Sequence, residues 1–258
     1  QANAGCSTPS FKIGRLCVMS FLAAAVALLL MPLFAKQIDA PLPRLDIDPE
    51  SITISGLSSG ADFASQFHVA FSRTIKGVGI FAGQSWHCAV QRFQGEPLVP
   101  PNVNVPFCDG CPPNMTLAYD HCKVTPSYVN VTVLAAAARQ SSNEGLIDDV
   151  QHLRDARVYL FCGTKDTSHL GATEKARDFY AEFVDAPYII SSFNVSSGHC
   201  WPQNTGIAPC GGPLPDQNCG YDGPGAMFEH LYGELAPPAL SIVISSLLHF
   251  NQTPYDSP

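Results

Sequence analysis

One junction restricts the fold of this chain more than anything else in it. Ser51-Ile52-Thr53-Ile54-Ser55 alternates polar and β-branched residues, the period of a half-buried strand. Gly56-Leu57-Ser58-Ser59-Gly60 follows at once. From Ala61 to Ser72 the apolar residues Ala61, Phe63, Ala64, Phe67, Ala70 and Phe71 then recur at helical spacing. A strand that turns through G-x-S-x-G straight into a helix has the pattern of a nucleophile elbow. The sharp turn lifts Ser58 clear of the chain, and glycines at both ends avoid Cβ clashes. The helix N-terminus and the Ser59 N–H then face any developing oxyanion.

The rest of the chain supplies the sheet such an elbow needs. Val78 to Gly83 reads as a short buried strand, and residues 86 to 128 as a loop rich in Pro and Cys. A helix begins at Val133 to Ala138. Arg157 to Cys162 is a second core strand, Glu174 to Phe183 a helix, and Tyr188 to Phe193 a further strand. Residues 199 to 224 form another Cys/Pro/Gly loop. Gly225 to Leu235 and Leu240 to Phe250 read as helices. Strands alternating with helices predict an α/β fold of the α/β-hydrolase type, a mostly parallel sheet flanked by helices. At 258 residues the chain is long enough for one such domain. We place it at 41–258, after a leader and lead-in at 1–40.

The leader carries Lys12 and Arg15, then an uncharged run from Cys17 to Ala35, then Lys36. This is a secretory signal peptide or a signal anchor, and either places the remainder outside the cytosol. Membrane contact follows only if the leader stays attached. A net charge of −8 without Lys/Arg clusters argues against nucleic acid as a partner. No phosphate-cradling loop is present, so no cofactor is expected. Of ten cysteines, Cys6 and Cys17 fall in the leader. The others are Cys88, Cys108, Cys111, Cys122, Cys162, Cys200, Cys210 and Cys219. Cys108-Asp-Gly-Cys111 and His121-Cys122 have zinc-ligand types, but an exported chain favours disulfides, and no metal is expected. Sequons for glycosylation occur at Asn114, Asn130, Asn194 and Asn251.

A serine nucleophile needs a base, and the base an orienting acid. The acid should follow a strand, and Asp166 comes just after Phe161-Cys162-Gly163-Thr164-Lys165. Asp148 and Asp149 are rivals in a less suitable place. For the base, His199 lies in Ser196-Ser197-Gly198-His199-Cys200-Trp201-Pro202, directly after a strand. His68, His230 and His249 sit on helices, and His87 and His121 in the first Cys loop. His169 is set aside as too close to Asp166 in sequence. If Ser58, Asp166 and His199 meet, a Cys162–Cys200 bridge would brace the acid and base loops. Cys210–Cys219, Cys88–Cys122 and Cys108–Cys111 complete the expected pairing.

Several stretches together resemble the polyhydroxybutyrate depolymerase family of esterases. They are Ser55 to Gly60, Phe81-Ala82-Gly83 before Cys88, Gly145 to Asp149, Val158 to Thr167, Gly198-His199 before Trp201-Pro202, and Asn218-Cys219-Gly220-Tyr221-Asp222-Gly223-Pro224-Gly225-Ala226. The resemblance runs in order from about Ser51 to Phe250. It implies a secreted serine carboxylic-ester hydrolase with Ser58, Asp166 and His199 as triad. Its partner would be a polyester or small ester, here poly(3-hydroxybutyrate) or its oligomers. Alternatives are an esterase for feruloyl or acetyl groups and a non-catalytic disulfide-rich domain. Ala61 stands where the family usually has a second glycine. The family is circularly permuted, with further strands and a His-Gly motif after the Tyr-Gly-x-Leu helix, and no His-Gly pair occurs here. The resemblance therefore implies a C-terminally truncated sheet, with an apolar face left open near Ile52, Ile54, Val158 and Leu160.

Overall fold

The structure is a computed structural model, and it describes residues 42–88, 92–93, 96–97, 122–123, 125–212, 215–237 and 250–255. The first strand, β1 (Thr53–Leu57), runs to within one residue of the serine. Helix α1 (Ser59–Ala70) starts immediately after it. The chain returns through β2 (Gly77–Phe81). A small antiparallel pair, β3 (Arg92–Phe93) and β4 (Glu96–Pro97), lies in the long loop that follows. Then come α2 (Val131–Asn143), β5 (Arg157–Phe161), α3 (Leu170–Tyr180) and β6 (Ile189–Ser192).

The four long strands form one sheet in the order β1-β2-β5-β6, with all three pairings parallel. A parallel ladder needs a crossover between neighbours, and the helices supply it. Every strand therefore points its C-terminal end toward the same edge, where α/β folds bind ligands.

The alternation of side chains along β2 and β5 builds two cores. Val78, Ile80, Val158 and Leu160 face α1, α2 and α3, packing with Ala64, Val69, Leu134, Ala138 and Phe179. Phe81, Tyr159 and Phe161 point to the other face. There α4 (Gly223–Tyr232) covers them with Met227 and Leu231. Asp222 caps α4 by accepting the Gly225 N–H at 2.8 Å. Tyr221 Oη meets Tyr159 Oη at 2.7 Å, which fixes the start of α4 against β5.

The expectation of an open apolar face at β5 is corrected. Val158 and Leu160 are fully buried, because three helices cover that side. Ile52 and Ile54, at the β1 edge, are half-buried. The segment 199–224 is also more regular than its composition implies. It holds a parallel pair, β7 (Trp201–Gln203) and β8 (Asp216–Asn218). These elements belong to a compact unit spanning Ile47–Pro238. The remainder, 1–46 with 239–258, groups separately. Within it the Leu42 N–H donates to Tyr255 Oη at 3.1 Å. No described helix is long and apolar enough to cross a membrane. The leader, Cys108, Cys111, Asn114, His121 and residues 240–249 lie outside the described residues.

Candidate active site

Ser58 sits at the tip of the β1–α1 turn with φ 59° and ψ −124°. Non-glycine residues rarely adopt this region, and holding one there costs about 1–3 kcal/mol. The surroundings enforce it. The Ser58 N–H donates to Phe81 O at 2.9 Å, extending the β1–β2 ladder to Ser58. Its carbonyl accepts the Asp62 N–H at 2.9 Å, the first bond of α1. Gly56 is required for the turn, since a Cβ there would overlap the backbone of Gly60. Gly60 itself has open space around its missing side chain, so the steric need for glycine falls on one end of the motif only. Ser59 is the first residue of α1, so its N–H is one of the helix donors without an internal acceptor.

Asp166 closes the turn after β5, its N–H donating to Gly163 O at 3.0 Å. Its side chain is buried. His199 Nδ1 donates to Asp166 Oδ2 at 2.6 Å. His169 Nδ1 donates to Asp166 Oδ1 at 2.7 Å. The two imidazoles stack, with centroids 4.3 Å apart and planes 30° apart. Burial alone would raise the Asp166 pKa. The hydrogen bonds from His169 and His199 outweigh it and hold the carboxyl well below the usual range. The rival aspartates have other work. Asp148 Oδ2 accepts the Arg73 N–H at 3.0 Å, and Asp149 Oδ1 accepts the Gln151 N–H at 2.9 Å.

The structure thus brings Asp166 and His199 together. Ser58 stands at the same sheet edge, at the end of β1, with β2 between it and β5. That is two strand spacings, about 10 Å between strand axes. No hydrogen bond joins Ser58 Oγ to His199 among the described contacts. Asp166, His169 and His199 have ligand atoms within 4.8 Å of one another, close enough to hold a metal ion. The two short Nδ1···O distances are those of charge-assisted hydrogen bonds.

Cys88–Cys122 and Cys210–Cys219 are disulfides, as expected. The expected Cys162–Cys200 bridge is corrected: both are free, buried thiols. Burial first, and the Asp166 charge as well, push both thiols up, so they stay protonated. Backbone hydrogen bonds do the bracing instead, from Thr164 N–H to Val195 O at 2.9 Å and from Lys165 N–H to Ser197 O at 3.0 Å. His169, set aside as a base for its closeness to Asp166, is placed by the structure on the second oxygen of that carboxylate.

No family model matches the chain. Among curated proteins it is 30% identical over 239 residues to a poly(3-hydroxybutyrate) depolymerase of Delftia acidovorans, covering 90% of this chain and 44% of that protein. It is 25% identical over 232 residues to a polyhydroxybutyrate depolymerase of Talaromyces funiculosus, covering 87% and 60%. Among solved structures, a PHB depolymerase from Penicillium funiculosum matches with a TM-score of 0.62 and 24% identity, over 79% of this chain and 57% of that one. A serine-to-alanine variant of a PHB depolymerase, complexed with an R3HB trimer, matches with a TM-score of 0.63 and 23% identity over the same shares. Sheet, elbow and neighbours define an α/β-hydrolase-like fold. By sequence the chain is similar to polyhydroxybutyrate depolymerases over most of its own length, and it spans about half the length of the curated relatives it matches.

Proposed function

We propose that this chain carries the catalytic residues of an exported serine esterase that cleaves poly(3-hydroxybutyrate) or its oligomers. The observation that carries the reading is the 2.6 Å hydrogen bond between His199 Nδ1 and Asp166 Oδ2, at the sheet edge where Ser58 stands in strained backbone. Asp166 fixes the ring so that Nε2 is the basic nitrogen. His199 takes the Ser58 proton as Oγ attacks the ester carbonyl. The tetrahedral oxyanion is met by the Ser59 N–H and the N-terminus of α1. His199 then protonates the leaving alkoxide, and a water activated by the same ring releases the hydroxy acid. Curated relatives named for poly(3-hydroxybutyrate) support the substrate class. The signal-like leader, the two disulfides and the sequons support export and an extracellular site of action.

The test uses the full chain with a chromogenic short-chain ester and a poly(3-hydroxybutyrate) film. Hydrolysis of both, abolished by a serine-directed inhibitor, is the expected result. Hydrolysis of the short ester without clearing of the film would remove the polymer from the reading. Inactivity on both would leave a non-catalytic domain.

A further inference from the structure

His169 shares the buried carboxylate with the proposed base. Its Nδ1 occupies Asp166 Oδ1 at 2.7 Å while His199 Nδ1 occupies Oδ2 at 2.6 Å, so each oxygen carries one imidazole. Its ring lies against the His199 ring with centroids 4.3 Å apart. Its own place is fixed. The His169 N–H donates to Asp166 O at 3.2 Å, and its carbonyl accepts both the N–H and the hydroxyl of Thr173 at 2.9 Å. The His169 side chain is 14% exposed, against 38% for His199.

We propose that His169 is a positioning residue, a second donor that locks the Asp166 carboxylate and a flat wall that holds the His199 ring. The proposal rests on the reading of Asp166 and His199 as acid and base. The terminal torsion of an aspartate has a broad, shallow profile. One hydrogen bond therefore leaves the carboxylate free to swing, and the imidazole it holds swings with it. Donors on both oxygens remove that freedom. Ser168 Oγ, 3.2 Å from Oδ1, adds a third contact on the side of His169. The His199 side chain is more than a third exposed, so packing restrains it little, and the His169 ring supplies the missing face. His169 acts through Asp166 and His199, with its Nδ1 committed to the carboxylate. The depressed Asp166 pKa fits two donors better than one.

Two variants of the full chain separate the donor from the wall. His169→Asn keeps an N–H close to the Nδ1 position and loses the ring. His169→Phe keeps a flat ring and loses the donor. Ester turnover is read as kcat and KM separately, and the His199 Nδ1–H is followed by NMR. His169→Phe is expected to lower kcat by about 10- to 100-fold at nearly constant KM and to shift the His199 resonance. His169→Asn is expected to recover most of both. Should His169→Phe not fold, His169→Ala takes its place. A donor-less variant with the kcat and the His199 resonance of the parent overturns the proposal. If the parent hydrolyses no ester, the functional reading fails, and the NMR arm still decides: a shifted resonance supports the positioning role, and an unmoved one ends it.

Discussion

Lys165 and Ser197 are joined by a backbone hydrogen bond of 3.0 Å, and through it the loop after β5 grips the loop that carries His199. Thr164 and Val195 make a parallel bond at 2.9 Å. The β5–β6 ladder is in effect continued past the ends of the strands, into the residues that precede Asp166 and His199. Gly163 lies inside this clasp. A Cβ there would overlap the Ser197 carbonyl and hydroxyl oxygens.

Gly163→Ala is therefore expected to push the two loops apart. Overpacking of this kind costs about 1–3 kcal/mol, and it should appear as a lower urea midpoint. Turnover should fall as well, since the displaced loops hold Asp166 and His199. Unfolding curves and kcat on a short ester check both. Parent-like stability in the variant would show that the loops yield without loss.

At the proposed nucleophile, Ser58→Ala should lower kcat by about 10³-fold or more, as loss of a triad member does in serine proteases. Ser59→Ala should be close to neutral, because the group offered to the oxyanion is its backbone N–H. Retained activity in Ser58→Ala with loss in Ser59→Ala would move the nucleophile by one residue.

The elbow was readable because three signals adjoin: period-two alternation, the glycine pattern, and apolar residues at helical spacing from Ala61. Asp166 and His199 were readable because each follows a strand of strong β propensity. His169 was not. Closeness in sequence counted against it, yet the turn through Thr167 and Ser168 folds back so that residues 166 and 169 meet at the start of α3. The strands β7 and β8 are three residues long, and Pro202 interrupts one of them, so neither shows a period. The Cys162–Cys200 expectation drew the right neighbourhood and the wrong bond, since sequence does not reveal that backbone groups already tie the loops. Burial of Val158 and Leu160 depended on three helices converging on one face, a tertiary fact.

Thiol chemistry distinguishes the cysteines. Cys162 and Cys200 are buried and protonated, so alkylation of the native protein should leave both unmodified, and alkylation after denaturation should label both. The bridges close loops of different length, with separations of 34 residues for Cys88–Cys122 and 9 for Cys210–Cys219. Chain entropy then gives the longer loop about 4 kcal/mol and the shorter about 3 kcal/mol. Paired Cys→Ser variants, compared by denaturant unfolding, should keep that order. Native labelling of Cys162 would contradict its burial.

His68 should make the fold acid-sensitive. It is fully buried on α1, with Nδ1 at 3.1 Å from Tyr180 Oη and no partner on Nε2 among the described residues. Burial pulls its pKa down from 6.5 to about 3. In the folded protein the ring therefore stays neutral until about pH 3, while in the unfolded chain it protonates below about 6.5. Between those values the unfolded state binds the extra proton, so stability rises with pH at up to about 1.4 kcal/mol per unit. The contribution is complete above pH 6.5 and is lost as the pH falls toward 3. His68→Phe removes the titration and keeps an aromatic ring against Tyr180, at the cost of leaving that buried hydroxyl unpaired, about 1–3 kcal/mol. The variant should be the less stable protein at pH 7 and the less pH-dependent one below 6.5, with the two curves crossing near about pH 5. Urea unfolding at pH 7, 6, 5 and 4 measures both slopes. Equal slopes for parent and variant would mean that His68 reaches its proton in the folded state, and that burial is not what governs it.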